Sequence, residues 1–169
     1  MTKGFMRMHH KRRRLQKTDF KKRLGLLKSG KPRLVIRKSL ENIRVQFIGF
    51  SAGGDKTTAS AFSAELGKLG WKSGLGNLPA AYLTGLLAGT RAKKAGISEA
   101  VFDLGLQTST KGSRIYASLK GVVDAGLSVP HSEEILPSEE RISGKHIQSR
   151  NGIEKEFAEM KEKILKEAK

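Results

Sequence analysis

The sequence predicts an α/β fold: a mixed β-sheet with an N-terminal hairpin, flanked by helices, plus a basic N-terminal arm and a C-terminal helix. Three observations predict it. Residues 33–50 hold two short β-rich runs with a polar separator between them. Residues 74–126 read helix, strand, helix with short links, the order that lays parallel crossovers onto a sheet. The charge is lopsided: of a net +17 over 169 residues, residues 1–44 carry +14, with Asp19 and Glu41 their only acids.

Residues 1–14, MTKGFMRMHHKRRR, have few apolar anchors and end in four contiguous cations. Such a segment cannot offset its ordering entropy alone, so it reads as an arm that orders on a polyanion. In residues 15–27, Phe20, Leu24 and Leu27 fall at i, i+4, i+7 among Lys21, Lys22 and Arg23. That spacing predicts a short basic helix, stopped by Ser29-Gly30 and Pro32. Leu34-Val35-Ile36 is a strand core. Ile43, Val45 and Phe47 then alternate with Arg44 and Gln46, the period of a half-buried strand. A hairpin follows, with Arg33, Arg37 and Arg44 as candidates for one cationic face. Residues 51–56 read as a loop and 57–62 as a third strand.

Residues 74–96 carry the clearest helix. Asn77 is placed to cap it, Pro79 falls in the first turn, and Gly96 stops it after Arg91, Lys93 and Lys94. Gly85 and Gly89 would let a neighbouring helix come close. Residues 100–106 suit a short buried strand. Residues 111–126 form a second helix, capped by Ser113, with Ile115, Tyr116, Leu119, Val122 and Val123 as its stripe. Residues 127–151 lack periodicity and read as an ordered tail. The last helix shows Ile153, Phe157, Met160 and Ile164 at i, i+4, i+7, i+11.

Several function classes fall away. The longest apolar stretch, residues 78–90, is short of the roughly 20 residues a membrane span needs, so no membrane partner is expected. Cys is absent, which removes disulfides, thiolate metal sites and thiol nucleophiles; with no secretory signal visible, an intracellular protein is expected. FIGFSAGGDKTT superficially resembles a phosphate-binding loop. Asp55 separates Gly54 from Lys56, however, which breaks the spacing and adds a repelling charge. The pairs Glu133-Glu134 and Glu139-Glu140 have no converging ligands and read as solvated surface. Asp103 and Asp124 read as isolated acids. His9 and His10 adjoin cations, His131 and His146 lack spaced partners, and no G-x-S-x-G elbow occurs. No enzyme, metal, cofactor or small-molecule substrate is expected.

The basic pattern points instead to nucleic acid. Phosphate contact needs cations on an adaptable arm and fixed cations on a folded surface. Lys11, Arg12, Arg13, Arg14 and Lys17 supply the first, continuing into Lys21, Lys22 and Arg23. Arg33, Arg37, Lys38 and Arg44 around the hairpin supply the second. Lys111, Ser113 and Arg114 open a helix, whose free N–H groups favour an anion. No helix-turn-helix or zinc-finger pattern appears, and an extended basic arm suits irregular folded RNA. Arg33 and Arg37 are expected to present planar forks for recognition, which Lys could not copy.

The blocks KRLGLLKSGKPRLVIRKS, GNLPAAYLTGLLAGTRAKKAGI, AVFDLGL, GSRIYASLKGVVDAGL and VPHSEEILPSEERISGKHI, in that order, resemble the large-subunit ribosomal protein family L-eighteen, in its archaeal form, whose eukaryotic relative is L-five. The resemblance covers residues 17–147. It implies a mixed α/β sheet with flanking helices and binding of 5S ribosomal RNA in the central protuberance. The implied partners are 5S rRNA, large-subunit rRNA and neighbouring large-subunit proteins, in the cytoplasm. By position, KPRLVIRKS supplies Arg33, Arg37, Lys38 and Ser39, and KGSR supplies Lys111, Gly112, Ser113 and Arg114. Bacterial members are shorter and lack the region resembling 131–147, and the last helix, 152–168, is more variable. The expected division is a basic arm and short helix over 1–30, an α/β RNA-binding domain over 31–130, and a C-terminal extension over 131–169. The alternative is a general basic RNA/DNA-binding or nuclease-like α/β protein.

Overall fold

A computed structural model describes residues 8–9, 11–147 and 152–168. Strands β1 (Arg33–Lys38), β2 (Ile43–Ser51) and β3 (Gly54–Phe62) form an antiparallel meander, and β4 (Val101–Asp103) pairs parallel to β1. The order β3-β2-β1-β4 makes the sheet mixed, with β1 and β2 central. The expected loop at 51–56 is shorter than its composition suggested. Strand pairing continues to Ser51↔Gly54, leaving only residues 52–53 to turn. Asp55 and Lys56 are therefore strand residues, paired with Phe50 and Gly49.

Alternation gives the sheet two unlike faces. Leu34, Ile36, Ile43, Val45 and Phe47 are buried against the helices. The main helices there are α4 (Leu78–Lys94) and α5 (Arg114–Asp124). Asn77 caps α4 as its position predicts, accepting the Ala80 N–H at 2.8 Å. Ser113 sits at the N-cap of α5 but makes no capping bond, a departure from expectation. The two helices touch backbone to backbone. A Cβ on Gly85 would stand 2.7 Å from the Ser118 carbonyl carbon, and one on Gly89 would stand 2.6 Å from the Ala125 Cβ. Ser118 Oγ donates to the Ala81 carbonyl at 2.9 Å across this seam.

The terminal helix α7 (Ile153–Ala168) buries the four stripe residues on the same core. Phe157 meets Tyr82 of α4 at 5.4 Å between ring centroids. Tyr82 donates to Asp124 Oδ2 at 2.7 Å; burial, followed by that bond, pushes its phenol above the ordinary range. Glu156 ties α7 to the 72–73 loop, accepting from the Lys72 N–H and the Ser73 hydroxyl. Asp124 is thus not isolated, being shared by Tyr82 and Lys120.

Four short elements had too little periodicity to be read. The α3 helix (Ala64–Leu69) buries only Leu66. A 3-10 turn (Glu133–Ile135) and α6 (Glu139–Ser143) order part of the 127–151 tail. The cationic run of the arm forms one turn, α1 (Lys11–Arg14), with no buried residue. It is closed by Leu15 N–H to Lys11 O and by Arg12 Nε to Thr18 Oγ1, both 3.0 Å. Residues 1–7 and 10 of the arm, including His10, lie outside the described residues. The basic helix α2 (Phe20–Leu27) starts later than expected because the Asp19 carboxylate caps it, accepting from the N–H groups of Lys21 and Lys22.

Candidate nucleic-acid interface

The sheet's second face is built by the same alternation. Arg33, Val35 and Arg37 point away from α4 and α5, and the β1–β2 register sets Ile48, Gln46 and Arg44 beside them. Here α2 stands over the sheet with no buried residue of its own. Between α2, this face and the 104–109 loop lies a groove of about 1220 Å³. Arg12, Lys17 and Lys22 stand on its rim, and Arg23, Arg33 and Arg37 line its interior.

The three interior arginines are held by two carboxylates. Arg33 is only 4% exposed, and a buried guanidinium requires compensation. It donates to Asp103 Oδ2 at 2.9 Å and Asp55 Oδ2 at 2.8 Å. Arg23 takes both oxygens of Asp55, at 2.8 and 2.9 Å. Arg37 donates to the Asp103 carbonyl at 2.7 Å and to its Oδ1 at 3.2 Å. Gly105 donates its N–H to the same Oδ1. Its φ of +66° favours glycine, and a Cβ there would stand 2.7 Å from Arg37 Nη2, so a larger residue would push the guanidinium out of its place on Asp103.

This alters the roles of the expected recognition residues. The Arg33 fork is turned inward to two carboxylates and holds β1, β3 and β4 together. Arg37 remains 40% exposed at its side chain but has its orientation fixed by Asp103. Asp103, read as isolated from its surroundings in sequence, is the hub of the network. Arg44 is exposed and lies over the Phe62 ring at 5.2 Å. Lys38 is exposed at the end of β1, and Ser39 is engaged in the hairpin turn, exchanging bonds of 3.0 Å with Asn42.

The KGSR block lies apart from the groove lining. Arg114 donates to the carbonyls of Leu40 and Gly76, at 3.1 and 2.7 Å, and so fastens α5 to two loops. Lys111 makes an exposed pair with Glu134 at 3.5 Å. Ser113 Oγ is shielded and has no partner among the described residues. Lys11, Arg13, Arg14 and Lys21 are exposed cations outside the groove lining, and Lys17 is exposed on its rim. Sequence reasoning missed Asp55, Thr18, Gln46 and Gln107, which line the groove or its network. Only Gln46 carried a signal, its place in the 43–47 alternation opposite the buried face.

Among the described residues no group of three or more His, Asp or Glu side chains could hold a metal ion, and no helix is long and apolar enough to cross a membrane.

Comparison with known proteins places the chain among ribosomal proteins. It belongs to the family described as ribosomal large subunit proteins 60S L5 and 50S L18, whose model matches residues 5–99 and 92–132. The large ribosomal subunit protein uL18 of Korarchaeum cryptofilum is 61% identical over 146 residues, covering 86% of this chain and 75% of that protein. The large ribosomal subunit protein uL18 of Methanococcus maripaludis is 53% identical over 143 residues, covering 85% and 74%. The family's role is structural rather than enzymatic.

Proposed function

We propose that this chain is a structural constituent of the large ribosomal subunit that binds 5S rRNA and helps attach it to the large-subunit rRNA in the central protuberance. Large-subunit proteins work in the cytoplasm as parts of the ribosome, and their partners are rRNA and other ribosomal proteins. The observation that carries the RNA reading is the one-sidedness of the sheet. One face is filled by α4 and α5; the other is an open groove with cations on its rim and fixed arginines inside. Rim cations Arg12, Lys17 and Lys22 attract phosphates without reading sequence. Arg37, locked by Asp103, offers a rigid donor that sets register. The choice of 5S rRNA rests on the family resemblance.

A competition assay tests it, with 5S rRNA, transfer RNA and duplex DNA at one fixed salt concentration. Preference for 5S rRNA is expected. Equal binding to all three would leave a general basic nucleic-acid binder.

A further inference from the structure

We propose that Arg44, laid on the Phe62 ring, is a stacking shelf for one unpaired nucleobase at the edge of the groove. This rests on the reading of the open sheet face as an RNA interface. Strand register puts three side chains in one row across that face: Arg37 of β1, Arg44 of β2 and Phe62 of β3. The row adjoins the groove, whose lining includes Arg37 and Gln46 but stops short of Arg44. Directly opposed residues on antiparallel strands hold their Cβ atoms about 4.5–5.5 Å apart, and like charges set so repel. Arg37 is answered by Asp103. Arg44, directly across from it, is paired with no carboxylate among the described residues, and its guanidinium lies 5.2 Å from the Phe62 ring centroid. The placement weakens the free protein, and a group from outside the chain that covers Arg44 offsets the cost.

A phosphate alone needs only the charge, which a flexible lysine supplies as well. What the Phe62 ring adds is orientation. A guanidinium is planar, one of its faces rests on the ring, and the residue is exposed, so its other face is open. A flat, electron-rich, uncharged group fits that face, and in RNA that group is an unpaired base. Ring, guanidinium and base then form a three-layer stack. The phosphate of the same nucleotide is left to Arg37, which is 40% exposed at its side chain and fixed by Asp103. The arrangement requires a bulged or single-stranded nucleotide, since the faces of a base within a helix are already covered by its neighbours.

The test uses the full chain with octa-adenosine RNA and an abasic octamer of the same length and charge, at one salt concentration. The parent should bind octa-adenosine at least about fivefold tighter, the low end of base stacking on a flat side chain. Arg44→Lys keeps the charge and loses the plane; it should bring that ratio close to one and leave the salt dependence unchanged. Phe62→Leu, which removes the ring beneath, should lower the ratio as well. Arg44→Trp keeps a flat face and should retain it. Each variant is first checked for an unchanged melting temperature. Trp71 is the chain's one native Trp and is buried, so the introduced indole is the exposed fluorophore. Octa-adenosine should quench it and the abasic octamer should not. If the parent shows no preference, if the preference survives Arg44→Lys, or if the abasic octamer quenches the indole equally, the shelf is wrong. Lost 5S preference with the Arg44-dependent ratio intact would remove the 5S reading alone; the reverse would remove the shelf alone.

Discussion

Gly85→Ala should be among the most damaging single-methyl changes in this chain. The added Cβ would stand 2.7 Å from the Ser118 carbonyl carbon and 2.8 Å from its Cα, and nearer still to the oxygen. Carbon atoms in contact sit about 3.5–4.0 Å apart. The seam between α4 and α5 must therefore open by about 1 Å, and both contacts are backbone, which cannot rotate aside. Overpacking of this kind costs about 1–3 kcal/mol. Opening the seam also stretches the Ser118 Oγ bond to the Ala81 carbonyl, worth about 1 kcal/mol. The helical preference of Ala over Gly offsets about 0.5–1 kcal/mol. The net is about 1–3.5 kcal/mol. For a chain of this size each kcal/mol moves the melting temperature by about 2–4 °C, so circular dichroism should record a fall of about 2–14 °C. Gly67→Ala in α3 is the control, because nothing lies within 4 Å of its added Cβ; it should be neutral or slightly stabilising. A Gly85→Ala protein that melts with the parent would refute the close-seam argument.

Arg33→Met leaves buried Asp103 held, among the described residues, by Arg37 and Gly105, and should lower stability by about 3 kcal/mol in urea titration. Replacing Lys11, Arg12, Arg13 and Arg14 together by Gln should leave melting unchanged, since α1 buries nothing. The same variant should flatten the salt dependence of RNA binding by about 0.7–0.9 log units for each phosphate no longer neutralised. Burial raises the Glu65 pKa, but its bonds with Arg91 and the Phe62 N–H outweigh that and hold it below the ordinary value. A lowered folded pKa means stability present above the unfolded value of 4.5 and lost as pH falls through the folded one. Melting curves from pH 7 to 3 should therefore show Glu65→Gln below the parent at neutral pH, with the gap closing in acid.

The elements that announce themselves in the sequence are those whose burial follows a local period. The alternation of Ile43, Val45 and Phe47 and the stripe of Ile153, Phe157, Met160 and Ile164 each name their own buried face. The interior of the groove could not be read this way. Arg33 is buried because β4, about seventy residues later, pairs parallel with β1 and delivers Asp103 to its side. No spacing in the chain encodes that register. Asp55 was hidden for a different reason: Gly53-Gly54 reads as loop, and only the tight turn at 52–53 makes Asp55 a strand residue facing Arg33. Leu24 shows the limit of helical spacing itself, since it lies on the expected stripe yet is 58% exposed. The α2 helix has no core beneath it, only a groove.

The central claim is that RNA occupies the open face of the sheet. Hydrogen–deuterium exchange of the full chain, with and without 5S rRNA, tests it most directly. Protection is expected across residues 11–27 and the 104–109 loop, with the amides of α4, α5 and α7 unchanged. Protection concentrated on α7 and the outer side of α5, with residues 11–27 exchanging as in the free protein, would place the RNA on the opposite side and contradict the account.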